Sequence, residues 1–378
     1  MKFMHISDLH LGKRVNEFSM LEDQKDILRK LLKIADEEKP QALLIAGDVY
    51  DKSIPTVEAI QLFDDFLCEL SKRKVQTFII SGNHDSAERM AFGGRLMKES
   101  GVYVAPVYAG KTQAVVLEDE WGAINIYLLP FVKPANVKRF FEDEQIENYT
   151  DAIRVAVEQM KLNTDERNVL VTHQFVTGAK RSESEDISVG GTDNVDASVF
   201  DEFDYVALGH IHGPQKIGRE TVRYCGTPLK YSFSEIHHKK SVTIVEMKEK
   251  GNVEISTKEL APLRDWCEMK GTYMELTEKA YYENHDQDSY MHITLTDEED
   301  IPEAVRKLQV IYPNLMKLDY DNQRTRGKAA FLEAAEAEEK TPFDIFEELY
   351  EKQNNQEMNE EQKKLIHDLI EKIWEGGH

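Results

Sequence analysis

The sequence is poor in cysteine and lacks long apolar runs. Its 378 residues include only Cys68, Cys225 and Cys267, which form no Cys-x-x-Cys pair. An odd, scattered set of this kind provides no disulfide framework, so we expect a reducing, cytoplasmic environment. No apolar stretch approaches the roughly 20 residues that a membrane helix needs, and no signal-peptide pattern follows Met1. We therefore expect no contact with a membrane.

Positive charge is also scarce. The chain has 47 Lys and Arg against 70 Asp and Glu, a formal net charge of −23 at pH 7. A protein that binds nucleic acid through a broad basic surface does not have this composition. Either the substrate is not a nucleic acid, or the positive charge is local, as bound metal ions would make it.

The first 260 residues alternate short apolar segments with amphipathic ones. Strands are predicted at 3–7, 42–46, 77–80, 124–129, 169–172, 205–208 and 242–246, and helices at 20–38, 56–71 and 86–99. Ser19 and Glu22 have the spacing of a capping box for the first helix. This alternation predicts an α/β fold in which helices cover a layered sheet, closing as one domain over residues 1–260.

The pattern changes from about residue 265. Strands at 273–276, 291–296 and 315–318 with a helix over 302–312 predict a small β-β-α-β domain over 265–322. Residues 323–340 have the composition of a linker. Two amphipathic helices follow at 342–353 and 360–374 within a segment spanning 341–378. Their start signals are Thr341-Pro342 with Asp344, and Asn359 with Gln362.

Five segments place metal-ligand residue types directly after apolar strands. They are Asp8-Leu9-His10, Gly47-Asp48-Val49-Tyr50-Asp51, Gly82-Asn83-His84-Asp85, Thr172-His173-Gln174 and Gly209-His210-Ile211-His212. A single strand histidine is more often a hydrogen-bonded core residue than a ligand. Functional groups gather beyond the carboxyl ends of strands in open α/β sheets, so five such segments predict one shared site.

The residue types indicate which metal the site prefers. Histidine nitrogens and carboxylate oxygens without cysteine favour manganese or iron over a structural zinc. One carboxylate can bridge two ions held ~3.5–4 Å apart. Two such ions would attract a phosphodiester despite the acidity of the chain, and would activate water for in-line attack on phosphorus.

In this order the segments resemble the signature of the calcineurin-like metallophosphoesterases: D-x-H, G-D-x-x-D, G-N-H-D, a lone His and G-H-x-H. Asp8–Gly12, Cys225–Glu235, the domain order and the helix at Phe343–Phe346 are similar to the SbcD family, the nuclease subunits of bacterial SbcC–SbcD complexes. The resemblance implies a layered metallophosphoesterase β-sandwich flanked by helices, a capping domain at 265–322 for DNA specificity, and C-terminal helices that bind a partner.

The family pattern implies a role for each site residue. It assigns one ion to Asp8, His10 and His212, the other to Asn83, His173 and His210, and the bridge to Asp48. His84 is no ligand in this pattern but faces the scissile phosphate, and Asp51 orients His84. The pattern further implies two manganese ions, exonuclease action on DNA duplex ends, and endonuclease action on single strands or hairpins. A coiled-coil ATPase of the SbcC type and a homodimer complete the expected assembly.

Two alternatives stay open at this point. Another enzyme of the same superfamily, a phosphatase or a nucleotide phosphodiesterase, would use the same ligands, although a compact phosphatase needs no second domain. A non-catalytic scaffold would not be expected to keep the full ligand set together with His84. Whether Lys13, Arg14 or residues 237–240 contact DNA is also open.

Overall fold

The computed structural model describes residues 1–182, 184–185, 193–326, 343, 346–347, 349–350 and 358–375. The chain divides into two compact units, Met1–Glu268 with Asp288–Met291, and Met269–Gln287 with His292–His378. The predicted domain limits stay predictions, and most of the linker at 323–340 lies outside the described residues. Within the described part of the chain, no helix is long and apolar enough to cross a membrane.

The first unit is built on two six-stranded mixed sheets. In chain order the strands of the protein are β1 (Lys2–Ile6), β2 (Arg14–Val15), β3 (Phe18–Ser19), β4 (Ala42–Ala46), β5 (Gln76–Ile80), β6 (Val102–Ala105), β7 (Val115–Asp119), β8 (Gly122–Leu129), β9 (Arg167–His173), β10 (Phe175–Val176), β11 (Asn194–Val195), β12 (Tyr205–Gly209), β13 (Gln215–Ile217), β14 (Arg219–Tyr224), β15 (Ser241–Met247), β16 (Val253–Glu259), β17 (Trp266–Gly271), β18 (Tyr290–Leu295) and β19 (Leu315–Tyr320). The sheet orders are β16-β15-β1-β4-β5-β6 and β13-β14-β12-β9-β8-β7.

The two sheets form a sandwich because each presents an apolar face to the other. One buried cluster joins Phe3, Leu44 and Phe78 of the first sheet to Ile126 and Val169 of the second. All five residues of β4 are buried, as expected for a strand covered on both faces. The layered α/β sandwich flanked by helices that the sequence predicts is confirmed.

Helices flank the sandwich. They are α1 (Leu21–Glu38), α2 (Val57–Lys72), α3 (Ala87–Met90), α4 (Gly94–Glu99), α5 (Pro134–Lys138) and α6 (Tyr149–Glu158), with 3₁₀ turns at Ala197–Phe200 and Phe233–Glu235. The capping box predicted for α1 is wrong. Met20 occupies the N-cap position, so Ser19 lies one residue too early to cap the helix. The single helix predicted over 86–99 is two short helices, because Gly93 has φ of 76° and interrupts it.

Strands β17, β18 and β19 form a three-stranded sheet, and the greater part of it belongs to the second unit. The accompanying helices are α7 (Tyr273–Thr277), α8 (Lys279–Tyr282) and α9 (Ala304–Leu308). The strand predicted at 273–276 is therefore wrong. Thr272 and Glu275 form a reciprocal capping box that starts a helix there, and the strand lies at Trp266–Gly271 instead. The helix predicted over 302–312 is real but shorter.

The last helix described is α10 (Glu360–Glu375). Its predicted start signal is confirmed: the Asn359 N–H donates to Gln362 Oε1 at 2.9 Å, and the Gln362 N–H donates to Asn359 Oδ1 at 2.9 Å. The start signal of the preceding helix, Thr341-Pro342 with Asp344, lies outside the described residues.

Candidate metal centre

The five ligand-bearing segments converge at one edge of the sandwich. Asp8 and His10 follow β1, Asp48 and Asp51 follow β4, Asn83 and His84 follow β5, His173 ends β9, and His210 and His212 follow β12. Strands β1, β4 and β5 are parallel, and so are β9 and β12. The carboxyl ends of each set therefore emerge on a common edge of its sheet.

Asp48 and Asn83 lie between the histidines. Asn83 Oδ1 is 2.9 Å from His173 Nε2 and 3.0 Å from His210 Nδ1. Asp48 Oδ2 is 3.3 Å from His173 Nε2 and 3.8 Å from His10 Nε2. Ligand-type atoms from sequence-distant segments thus share a space of a few ångströms.

Three groupings of these side chains have ligand atoms within 4.8 Å of one another: Asp8, His10 and His212; Asp8, Asp48 and His173; and His10, Asp48 and His84. The contacts of Asn83 with His173 and His210 add the remaining two, so all seven predicted ligands and His84 are brought together. Proximity does not separate His84 from the ligands, so the division of ligands between two ions stays a prediction.

Three histidine ring nitrogens at the centre are available to bind a cation. Nδ1 and Nε2 of His10 and Nε2 of His210 are buried without a hydrogen-bond partner among the described residues. Burial lowers the pKa of His10 well below its ordinary value and that of His210 to about 3. Both rings are neutral near pH 7, and neutral imidazoles offer the lone pairs that a divalent metal ion binds. The residues present fit a metal.

The backbone that carries the ligands is strained. The φ angles are 53° at Asp8, 44° at His10, 48° at Asp48 and 103° at His210, all in the left-handed region that non-glycine residues avoid. Each such residue costs of order 1–3 kcal/mol and persists only where its surroundings impose it. The surroundings here are main-chain bonds: the Asp8 N–H donates to Gly47 O at 3.0 Å, and the His10 N–H donates to Asp48 O at 3.0 Å.

His84 is partly accessible, with 27% of its side chain exposed. Its main-chain N–H donates to Asp48 Oδ1 at 2.9 Å. Its Nδ1 is 3.1 Å from the main-chain oxygen of Asp51, while the Asp51 carboxylate pairs with Lys13 Nζ at 2.8 Å. Asp51 therefore contacts His84 through its backbone, and Lys13 lies at the rim already paired.

Asp85 braces two of the ligand loops. Its carboxylate accepts the N–H groups of Val49 at 3.1 Å, Tyr50 at 2.9 Å and Gly82 at 2.9 Å. Burial and the nearby Asp48 raise the pKa of Asp85 to about 6. Because it ties the loop after β4 to the loop after β5, Asp85 sets the spacing of Asp48 and Asn83.

Sequence reasoning missed a second set of supporting residues. Gln24 on the buried face of α1 accepts the Gly12 N–H at 2.9 Å and donates to His10 O at 2.7 Å. The Tyr231 hydroxyl donates to Leu9 O at 2.6 Å. The Glu235 carboxylate contacts the His212 ring. In the sequence, Gln24 could have been recognised only as a polar residue on the apolar face of a predicted helix. Tyr231 and Glu235 could have been recognised only because they belong to the family motif at Cys225–Glu235.

Comparison with known proteins places the chain in a family. Residues 1–214 match the calcineurin-like phosphoesterase family, and residues 259–354 match the family described as the type 5 capsule protein repressor C-terminal domain. A Staphylococcus epidermidis protein, named as the D subunit of the nuclease SbcCD, is 32% identical over 376 residues, covering 98% of each chain.

Two solved structures are also similar. A dimetal phosphatase from Danio rerio has 14% identity and a TM-score of 0.39, covering 69% of this chain and 99% of that one. A Thermus thermophilus protein has 13% identity and a TM-score of 0.38, covering 68% of this chain and 98% of that one. Likeness at this level adds nothing to the family assignment.

The family and the side-chain chemistry agree. A catalytic domain of the calcineurin-like phosphoesterase family spans residues 1–214, and His and Asp side chains suited to divalent metal ions meet within it. The chain is therefore a metal-binding hydrolase. With a 32% identical relative matched almost from end to end, it belongs to the SbcD family of calcineurin-like phosphoesterases.

Proposed function

We propose that this protein is the nuclease subunit of a complex with an SMC-like, coiled-coil ATPase of the SbcC type, and that it processes DNA double-strand breaks in the cytoplasm. It hydrolyses phosphodiester bonds as an exonuclease on duplex ends and as an endonuclease on single strands or hairpins. The observation that carries the proposal is a complete cluster of metal-ligand residues in a chain similar from end to end to a nuclease subunit.

Seven residues would hold two metal ions, most readily Mn²⁺. One set is Asp8, His10 and His212, the other is Asn83, His173 and His210, and Asp48 serves both. Divalent ions bound there lower the pKa of a bound water and stabilise charge on a phosphoryl group. Among these ligands only Asp8 and Asp48 carry negative charge. With two divalent cations bound, these two carboxylates would leave the metal centre with a net positive charge, which would let an acidic protein bind a polyanion locally.

His84 supplies the proton that the leaving oxygen needs. Its Nδ1–H donates to the main-chain oxygen of Asp51 at 3.1 Å, which turns Nε2 toward Asp48, 3.9 Å away. In the imidazolium form the second proton sits on Nε2, on the side of the ring that faces the ligands. From there it can pass to the 3′ or 5′ oxygen as the phosphodiester breaks.

A substrate comparison tests the proposal. With Mn²⁺, the purified protein is expected to degrade labelled duplex and hairpin DNA, and chelation with EDTA should abolish cleavage. A phosphopeptide and a cyclic nucleotide should be turned over far more slowly. Preference for either small substrate over DNA would instead identify a phosphatase or a nucleotide phosphodiesterase.

The C-terminal segment is proposed to bind the ATPase. Leu365 and Leu369 lie four residues apart on α10 and are 59% and 44% exposed. Leucines at this spacing form one face of a helix and suit a helix-in-groove contact with a partner. The segment 331–378 is acidic, so DNA is a poor partner for it.

We expect deletion of residues 340–378 to leave manganese-dependent cleavage of short single strands unchanged and to abolish co-purification with the ATPase. Leu365→Asp with Leu369→Asp should do the same, because both place a charge in an apolar contact. Lys364→Asp, on the same helix and also exposed, is the matched control and should still co-purify. Full-affinity binding of the truncated chain to the ATPase would contradict this docking role.

A homodimer is proposed as well. Ile54, Val57, Phe92 and Leu96 are large apolar residues that are 69–87% exposed in the first unit. Large apolar side chains left this exposed are candidates for a protein interface. Light scattering should give the mass of a dimer, and Phe92→Glu with Leu96→Glu should reduce it to a monomer. A monomeric unaltered protein would exclude the dimer.

A further inference from the structure

A buried ion pair lies directly behind His212. Glu235 ends the 3₁₀ turn Phe233–Glu235 and is 0% exposed, and Lys240 is 4% exposed. Glu235 Oε1 accepts from His212 Nδ1 at 3.1 Å, and its Oε2 pairs with Lys240 Nζ. A buried ion pair adds little stability by itself, because the cost of removing both charges from water offsets their attraction.

All three protons of the Lys240 ammonium are used. Besides Glu235, Nζ donates to Thr227 Oγ1 at 2.6 Å and to the main-chain oxygen of His212 at 2.9 Å. The same pair thus contacts His212 twice, at its ring through Glu235 and at its backbone through Lys240. Burial would raise the pKa of Glu235, but the Lys240 ammonium and the His212 ring hold it below its usual range.

The contact decides which nitrogen of His212 faces the metal centre. Two oxygen acceptors lie at Nδ1, Glu235 Oε1 at 3.1 Å and Ser184 Oγ at 2.9 Å, and the Ser184 hydroxyl itself donates to Glu235. Nδ1 therefore carries a proton, and Nε2 is left with its lone pair. Ligand atoms of Asp8 and His10 lie within 4.8 Å of a ring nitrogen of His212, and because Nδ1 already has two hydrogen-bond partners, the geometry assigns Nε2 to the metal centre.

We propose that Glu235 is a positioning residue that holds His212 in the tautomer able to bind metal, and that Lys240 keeps the carboxylate in place without adding net negative charge to the pocket. The inference rests on the proposed metal site at Asp8, His10 and His212. Hydrogen-bond partners of this kind orient a ligating histidine and raise its basicity.

Glu235→Gln tests the proposal because an amide has one oxygen where the carboxylate has two. The Lys240 ammonium should take that oxygen, so the amide NH₂ turns to His212 Nδ1. An NH₂ group at Nδ1 favours the tautomer with its proton on Nε2, which cannot bind metal. Titration calorimetry with Mn²⁺ should show two sites in the unaltered protein and one of them weakened ~10–100-fold in this variant.

A second substitution should reverse the effect. In Glu235→Gln with Lys240→Met, the amide oxygen is free to face His212, so the weakened site should recover affinity. Glu259→Gln, an exposed residue of β16, is the matched control and should bind as the unaltered protein does. If Glu235→Gln does not fold, Glu235→Leu with Lys240→Met removes the ion pair as a unit and should fold with one weak site.

The outcomes separate this inference from the proposed function. Two unchanged Mn²⁺ sites in folded Glu235→Gln, or in the Leu–Met variant, would overturn the role of Glu235 alone. An equal loss of Mn²⁺ affinity in Glu235→Gln and in Glu235→Gln with Lys240→Met would also overturn that role. The loss would then not depend on whether the amide oxygen or the amide NH₂ faces His212 Nδ1. Fewer than two sites in the unaltered protein would instead overturn the binuclear centre.

Discussion

His84→Gln is expected to lower the rate of manganese-dependent DNA cleavage by ~10²–10⁴ and to leave metal binding unchanged. The side chain of glutamine can still fill the space and donate a hydrogen bond, but it cannot donate a proton to a leaving oxygen. The ring is partly exposed and its Nδ1 contacts a main-chain oxygen, so it is held at the edge of the centre and open to a substrate.

Single-turnover cleavage and Mn²⁺ calorimetry on the same preparations measure the two quantities separately. His285→Gln is the matched control, because His285 Nδ1 also contacts a main-chain oxygen, that of Tyr281 at 2.9 Å, in the second unit. Its substitution should leave cleavage unchanged. If His84→Gln loses metal in parallel with activity, His84 is a ligand, as its proximity to His10 and Asp48 allows.

Gly209→Ala is expected to destabilise the protein by about 3 kcal/mol or more and to remove metal binding. A Cβ at this position would lie 1.8 Å from the main-chain oxygen of Ala46 and 2.7 Å from His173 Nδ1. Those two atoms already form a hydrogen bond of 2.8 Å between β9 and β4. A methyl group must therefore push apart the two sheets at the point where their ligands meet.

Urea unfolding and Mn²⁺ calorimetry measure both consequences. Gly94→Ala is the control, because a Cβ there would have no atom within 4 Å and Gly94 begins helix α4. Alanine in a helix is favoured over glycine by up to about 1 kcal/mol, so this variant should not be destabilised. A Gly209→Ala protein of ordinary stability with two Mn²⁺ sites would show that the sheets are free to separate.

Much of the fold could be predicted from apolar patterning. The run at Ala42–Ala46 indicated a strand covered on both faces, and β4 has those bounds. Short sequence patterns gave wrong predictions of secondary structure where the same residues fitted two different structures. The apolar residues at 273–276 suggested a strand, but Thr272 and Glu275 form reciprocal hydrogen bonds that start a helix. Ser19 had the spacing of a cap, yet it belongs to a short hairpin strand.

The sequence by itself determined the identity and order of the site residues. A metal selects ligands by atom type, and the carboxyl ends of parallel strands place those atoms on one edge, so Asp8, Asp48, His173 and His210 were recognisable without coordinates. This information is local: each motif is a few residues long and follows its own strand.

Only the tertiary structure decided how those residues are held. The left-handed backbone at Asp8 and His210 persists because bonds to distant segments hold it: the Asp8 N–H donates to Gly47 O, and the His210 N–H donates to the Asp8 carboxylate. Glu235 and Lys240 lie 23 and 28 residues from His212 in the chain, and nothing in their own segments indicates that contact. Packing brings such groups together across sheets, and burial removes the water that would otherwise compete for their hydrogen bonds. The support of the ligands, unlike their type, is therefore a property of the folded chain alone.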